Sequence, residues 1–304
     1  MLGDCMRTES LRAAHVALYD IDSTRLEDSK LMIENLNRSI NEGRATVTAH
    51  LGIDTRKDAL RDADFVVNAI QVGGYRPSTV IDFEIPKKYG LRQTIADALG
   101  IGGIFRGLRT IPVLVAFAHE MEEVCPDALL LNYTNPMAIV TGAVLRATDV
   151  PTVGLCHSVQ SCVPHLLKSL DMKASVDRAQ WKIAGINHMA WLLELTVDGE
   201  DLYPEVKRRA FEKNDLALAG KADKHGDMVR FEIVRHFGFS VTENSEHSAE
   251  YMPYRIKSGY SELIDQYNIP LDEYPRRCED QISGWQRQRD SLVPNTVVET
   301  PVLS

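Results

Sequence analysis

Cys156 and His188 are the two side chains in this sequence best suited to hold a transition metal, a thiolate and an imidazole set one strand-length segment apart. Each closes an apolar run, Val153-Gly-Leu-Cys-His-Ser158 in the first case and Gly185-Ile-Asn-His188 in the second. A short apolar run that stops at reactive side chains reads as a buried strand delivering them to the edge of a sheet. On spacing alone the alternative is a buried structural cysteine and a core histidine satisfied by its neighbours. Amides cluster at other strand ends: Asn68 and Gln71 close one apolar run, and Asn132 and Asn135 follow another. The stretch from Ser240 to Tyr251 is polar and ionisable, either a surface loop or the edge of an active site.

The elements that must position these groups alternate between strand and helix. His15 to Asp20 reads as a buried strand closed by an acid, and a helix over 24–43, capped by Ser23 or Thr24, lies behind it. Thr46 to Leu51 is a short strand and Asp58 to Asp62 belongs to a helix. Asp64 to Gln71 reads as a central strand, and Val72-Gly-Gly74 turns out of it. Gly100-Ile-Gly-Gly103 opens a long helix, and its glycines either cradle a phosphate or free the backbone, the second reading being the stronger. Ala128 to Tyr133 is the next strand, followed by helices over 137–147 and 158–170 on either side of the Cys156 strand. This alternation predicts an α/β fold, a Rossmann-like doubly wound parallel sheet with ligands at the strands' carboxyl ends. Asp20 would accept hydrogen bonds from the ribose hydroxyls of a dinucleotide, with Asn68 and Asn132 beside the cofactor. The first strand and glycine-rich turn of such a sheet are expected before Asp20, but residues 1–9 carry no strand. The pattern changes near Ser175: Trp181 to His188 and Trp191 to Val197 leave no room for a crossover helix and predict antiparallel pairing. The expected division is a domain over 1–174 that binds NAD and a second, α+β domain over 175–304 for substrate and metal, whose end at 296–304 completes no element.

Composition narrows the classes. The 304 residues are 44% hydrophobic and 25% charged, ordinary values for a globular chain of about two domains. A net charge of -9 with no basic run argues against nucleic-acid and membrane-surface binding. Five cysteines without a CxxC pair argue against a disulfide framework or a closed zinc site, so reduced thiols in the cytoplasm are expected. No charged start leads into an apolar leader, and no apolar run is expected to reach the length of about 18 residues that a membrane span needs.

Four segments carry a resemblance. Asn132-Tyr-Thr-Asn-Pro-Met137, Val153-Gly-Leu-Cys-His-Ser-Val-Gln160, Ala184-Gly-Ile-Asn-His-Met189 and Ser245-Glu-His-Ser-Ala-Glu-Tyr251 resemble, in this order, the signature segments of glycoside hydrolase family four. The resemblance covers nearly the whole chain and is strongest to the family's bacterial α-galactosidases of the melibiase type. It implies a glycosidase that uses NAD and a divalent metal, usually Mn²⁺, in place of a carboxylate pair. In that chemistry the sugar is oxidised at C3 and a base removes the acidified C2 proton. The aglycone oxygen then leaves with acid assistance, and water adds before the ketone is reduced again.

Carried over residue by residue, the resemblance implies Cys156 and His188 as metal ligands and Asn135 as a substrate-binding amide. Tyr251 stands where members place a tyrosine base, and a phenol with a free pKa of about 10 ionises near neutrality only beside a metal or another cation. Glu246 is the alternative base. Phospho-glucosidase members carry an aspartate directly after the metal cysteine; here it is His157, which leaves His157, a water or another group as the proton donor. With no arginine counterpart near Thr79, an unphosphorylated α-galactoside is the substrate implied. Family members begin with a strand and a GxGS-type loop and extend well past the position of Ser304, so a chain incomplete at both ends is expected, from a family that is homo-oligomeric at full length. Two alternatives stand beside this reading: an inactive remnant that keeps some sugar or metal binding, and a 2-hydroxyacid dehydrogenase.

Overall fold

The structure, a computed structural model, describes residues 2–291; the expectation for 296–304 lies outside the described residues. In chain order the strands are β1 (His15–Asp20), β2 (Thr46–Leu51), β3 (Phe65–Asn68), β4 (Leu129–Asn132), β5 (Thr152–Gly154), β6 (Ala179–Ile186), β7 (Met189–Val197), β8 (Glu200–Asp201) and β9 (Ser240–Val241). The helices are α1 (Leu2–Cys5), α2 (Ser23–Asn41), α3 (Arg56–Leu60), α4 (Val80–Lys88), α5 (Gly100–Val124) and α6 (Met137–Ala147). They continue with α7 (Ser158–Ser169), α8 (Tyr203–Leu218), α9 (Met228–Phe237), α10 (Ser245–Tyr251), α11 (Glu262–Gln266) and α12 (Glu273–Ser291).

The first five strands all pair in parallel, as alternation with helices demands, but they form two sheets. β1 pairs with β2, and β3, β4 and β5 run in that order, with no hydrogen-bonded ladder joining β1 to β3. The expected central strand β3 is therefore an edge, which leaves Phe65 61% and Val67 40% exposed. The start of α2 also differs from expectation: Asp22, rather than Ser23 or Thr24, caps it by accepting from the Arg25 N–H at 2.9 Å. Beyond β5 the sheet becomes antiparallel, β6 pairing with β7 through a hairpin whose tip is Asn187-His188, and β9 pairing with the start of β7.

One helix among the described residues, α5, is long and apolar enough by length and composition to cross a membrane, which corrects the expectation that no run reaches that size. Its Leu114, Ala118 and Met121 pack with Leu130 of β4 and Val140 and Val144 of α6, the behaviour of a core helix flanking a sheet. Helix α7 behaves differently from α6. Its Cys162, Val163, Leu166 and Leu167 pack against Leu192 and Leu195 of β7, Val206 and Ala210 of α8, and Phe231 of α9. The helix that opens behind Cys156 is thus anchored in the core of the antiparallel sheet. A third core joins α9, β9 and the end of α10 around Met228, Val241 and Ala249.

Leu166 is fully buried among these residues. Leu166→Ala is expected to cost about 2–5 kcal/mol of unfolding free energy, read from urea or thermal melts, and a loss below about 1 kcal/mol would contradict the anchoring of α7.

Candidate active site

Cys156 follows β5 and precedes α7, so the carboxyl end of a parallel strand and the start of a helix set its place. Its Sγ lies 3.4 Å from Ser158 Oγ and 3.5 Å from Nε2 of His188. Burial pushes the thiol pKa up, but the imidazole and the Ser158 hydroxyl and N–H outweigh it and leave the thiol below its ordinary value. His188 stands at the β6–β7 hairpin tip in a left-handed backbone conformation, φ 61°, uncommon for a residue with a β-carbon. Its ring is buried, with Nδ1 at 3.1 Å from the Tyr251 hydroxyl and Nε2 at 3.9 Å from Glu243 Oε1. Burial pulls its pKa down, while the Cys156 contact and the charges of Glu243, Cys156 and Asp97 raise it above the ordinary value.

The polar stretch 240–251 folds as β9, a turn and α10, and it is largely buried, so it is a wall of this cluster rather than a surface loop. Asn244 caps α10 by accepting from the His247 N–H. His247 packs edge-on to the His188 ring at 5.0 Å; burial, then the neighbouring His188, Arg277 and His157, push its pKa down to about 3, so the ring is neutral. Tyr251 stacks on His188 at 5.9 Å, and its phenol is held far above the usual range by burial and by the charges of Asp97, Glu250, Glu243 and Cys156. Glu246 points elsewhere, its carboxylate accepting from Arg277 Nη2 at 3.0 Å, with burial raising its pKa. His157 is exposed at the start of α7, its ring without a hydrogen-bond or ion-pair partner among the described residues.

Three groups the sequence reading did not single out complete the cluster. Asp97, 5% exposed, accepts from Asn135 Nδ2 at 2.7 Å through Oδ2, while its Oδ1 has no partner; burial raises its pKa. Glu243 Oε1 also lacks a hydrogen bond. Ligand atoms of Cys156, His188 and Glu243 all lie within 4.8 Å of one another, as do those of Asp97, His188 and His247. A buried sulfur, nitrogen and oxygen donor set with unpaired carboxylate oxygens fits a divalent cation, because buried carboxylates otherwise stand uncompensated. Glu243 and His247 fall inside the stretch marked as ionisable; Asp97 follows Thr94-Ile-Ala, where no strand end or helical period marks it.

The other sites sit as follows. The backbone carbonyl of Asn135 also accepts from Arg106 Nε at 3.1 Å, which fixes the amide over Asp97. Asn68 Nδ2 donates to Asn132 Oδ1 at 2.7 Å, and Asn132 in turn donates to the Thr141 hydroxyl and the Thr134 carbonyl and accepts from the Thr134 N–H. These two amides lock the ends of β3 and β4 together, and Asn132 has no hydrogen-bonding capacity left over. Asp20 Oδ1 accepts from the Asp22 N–H at 3.0 Å and Oδ2 from Arg25 Nε at 3.0 Å; a carboxylate has about four acceptor sites, so room remains for a diol. The glycines at 100–103 serve the backbone. A β-carbon at Gly102 would stand 2.6 Å from Ala96 Cβ, and the Gly102 N–H is taken by Gln93 Oε1 at 3.0 Å, so the Asp97 loop lies directly on α5.

Comparison with known proteins agrees along the whole chain. The model of the family 4 glycosyl hydrolases matches residues 1–172, and that of the family 4 glycosyl hydrolase C-terminal domain matches 183–301. An alpha-galactosidase of Bacillus subtilis (strain 168) is 60% identical over 97% of this chain and 65% of its own length. An alpha-galactosidase of Rhizobium meliloti (strain 1021) is 31% identical over 84% of this chain and 49% of its own length. The chain thus spans 65% and 49% of the length of these two relatives. Among solved structures, a putative glucosidase from Bacillus subtilis superposes with a TM-score of 0.81 at 22% identity, over 96% of this chain and 67% of the other. A 6-phospho-alpha-glucosidase from gut microorganisms in complex with NAD and Mn²⁺ superposes with a TM-score of 0.71 at 20% identity, over 95% and 63%. These likenesses establish the Rossmann-like fold.

If the sulfur–nitrogen–oxygen cluster holds a cation, Mn²⁺ at about a hundred times its Kd is expected to stabilise the chain by about 2.7 kcal/mol. Cys156→Ser and Glu243→Gln are each expected to remove more than half of the Mn²⁺-dependent rise in Tm. An undiminished rise in either variant would take that residue out of the ligand set.

Proposed function

The chain belongs to the family 4 glycosyl hydrolases, and we propose that it acts as an α-galactosidase dependent on NAD and a divalent metal, with an unphosphorylated α-galactoside as substrate. Membership sets the 2-hydroxyacid dehydrogenase alternative aside. The observation that carries the proposal is the imidazole of His188, which meets Cys156 through Nε2 and the Tyr251 hydroxyl through Nδ1. A soft-donor cation site and a phenol suited to proton abstraction thereby share one wall. The alpha-galactosidases of Bacillus subtilis and Rhizobium meliloti among the relatives support the choice of sugar.

Cys156, His188 and Glu243 would hold the cation, Mn²⁺ in this reading, and Asp20 the adenosine ribose hydroxyls of NAD. Asn68 and Asn132 act on the cofactor side by fixing the strand ends that floor it. The chemistry these bound groups supply is hydride exchange at the sugar's C3 from NAD and polarisation of the vicinal sugar oxygens by the cation. Tyr251 takes the proton from C2; burial and the charges of Asp97, Glu250, Glu243 and Cys156 hold its phenol protonated, so this role requires positive charge close by. Asn135, clamped between Asp97 and Arg106, presents its amide to sugar hydroxyls. His157, exposed at the start of α7 and next to Cys156, gives a proton to the glycosidic oxygen as the aglycone leaves.

Several features support the coarser parts of the reading. A division near residue 174 accords with the change from parallel to antiparallel pairing, although α7 lends its buried face to the second core. Five free cysteines accord with a reducing compartment, hence the cytoplasm. Ile104 and Leu108, exposed on α5, accord with a homo-oligomer, and the net charge of -9 accords with a partner that is neither nucleic acid nor membrane. A second reading, binding of sugar or metal without turnover, rests on the missing ladder between β1 and β3, which divides the floor on which a dinucleotide would lie.

Release of a chromogenic aglycone from an α-galactoside, with NAD⁺, Mn²⁺ and a thiol reductant, tests the proposal, and product formed in deuterium oxide should carry deuterium at C2. Tyr251→Phe is expected to lower kcat by about 10²–10⁴-fold while the Mn²⁺-dependent rise in Tm persists. A folded, Mn²⁺-stabilised protein that releases no aglycone would establish binding without turnover instead.

A further inference from the structure

Glu250 precedes Tyr251 on α10, and it reaches across to the loop that carries Asp97. Its Oε2 accepts from the Thr94 N–H at 2.8 Å, the Thr94 hydroxyl at 2.7 Å and the Ile95 N–H at 2.7 Å. The Ala96 N–H, at 3.0 Å from Oε1 and 3.1 Å from Oε2, closes the set. Three successive backbone N–H groups around one carboxylate form an anion nest, and such nests are built by a residue in the left-handed region. Ala96 supplies it with φ 51°, an uncommon conformation for a residue with a β-carbon. Thr94, Ile95 and Ala96 are all buried, so these donors have no water to turn to. The Thr94 hydroxyl also lies 2.8 Å from the Glu246 carbonyl, a second tie to the same helix.

We infer that Glu250 is a positioning residue of this active site: it registers Asp97, and through Asp97 the Asn135 amide, against the Tyr251 and His188 side of the cleft. The inference rests on the glycosidase reading for its catalytic consequence. Within its own half the loop is held by Gln93, which donates to the Asp82 carbonyl at 2.9 Å and accepts from the Gly102 N–H at 3.0 Å. The Gln93 and Thr94 carbonyls also accept from the Asp272 and Tyr274 N–H groups at 2.9 and 3.0 Å, but of the ties to the helix of Tyr251 it is the Glu250 carboxylate that gathers the three N–H groups next to Asp97. A carboxylate suits this task because it is all acceptor, with no hydrogen of its own to set against three converging N–H groups.

A double-mutant cycle with Asp97 tests it. Glu250→Ala is expected to lower kcat/KM for an α-galactoside about 10²-fold, the scale that follows a 1 Å misplacement. In an Asp97→Ala background the same change is expected to alter kcat/KM by less than threefold, because the residue through which Glu250 acts is gone. Glu250→Gln keeps one oxygen for Thr94 and Ile95, so it is expected to recover activity to within about tenfold of the parent; it carries the cycle should Glu250→Ala not fold. Hydrogen exchange requires no turnover: the amides of residues 94–96 should exchange at least tenfold faster in Glu250→Ala, with α7 and β7 unchanged, and Glu250→Gln should keep the protection of Thr94 and Ile95. Additive losses in the cycle, or unaltered exchange at 94–96, would overturn the role. A parent protein that hydrolyses no α-galactoside would sink the glycosidase reading instead, and exchange alone would then decide on Glu250.

Discussion

A buried imidazole with a different partner on each nitrogen is the constraint around which this protein is built. His188 faces Cys156 on one side and Tyr251 on the other, and it can do so only if three separate elements converge: the end of β5, the tip of the β6–β7 hairpin and the last turn of α10. The hairpin tip accepts a left-handed backbone to aim the ring. α7 carries the cysteine toward it by packing on β7, and β9 brings α10 alongside by pairing with the same strand. Each of these packing choices is explained by the ring's position more directly than by any local propensity.

The charges gathered there run against ordinary packing. Asp97 and Glu243 are buried carboxylates, each with an oxygen that no hydrogen bond satisfies, and Cys156 is a thiol drawn below its ordinary pKa. Burial and their combined field hold the Tyr251 phenol protonated, whereas burial and the neighbouring His188, Arg277 and His157 leave His247 neutral. Uncompensated buried charge is costly, and a cation held among these donors would relieve it. The contrast with the surface is plain: the exposed pairs such as Arg208 with Glu205 shape pKa values locally but hold nothing in place that the chemistry needs.

What could be read from the linear chain follows sequence distance. The strands ending at Asp20, Asn68 and Asn132, the antiparallel hairpin and the Cys156–His188 pairing were all legible, because period and abrupt polar endings are local signals. Gly100 to Gly103 was legible as a backbone device, though what approaches it, Ala96 and Ala98, was not. Asp97 escaped notice because its loop has no period, its partner Asn135 lies 38 residues away, and Glu250, which holds the loop through Ala96, lies 154 residues from that alanine. The edge position of β3 was not legible, because it depends on which strands pair across the sheet, a tertiary fact. The apolar length of α5 was legible and was underestimated, since it follows from length and composition alone.

Helix α7 places the site on a seam between the sheets. Of the groups that meet around His188, Glu243, His247 and Tyr251 trace back to the antiparallel sheet and its helices, whereas Cys156 stands between β5 of the parallel sheet and α7, whose buried face belongs to the antiparallel core. Asp97 and Asn135 instead ride on the α5 and β4 side. The donors around His188 are therefore drawn from both sides of the cleft, and Glu250 bonds the Asp97 loop to the helix of Tyr251. A shift of one side against the other would change the sulfur–imidazole distance and the reach of the amide together, so a sequence change that moves either one is felt by both.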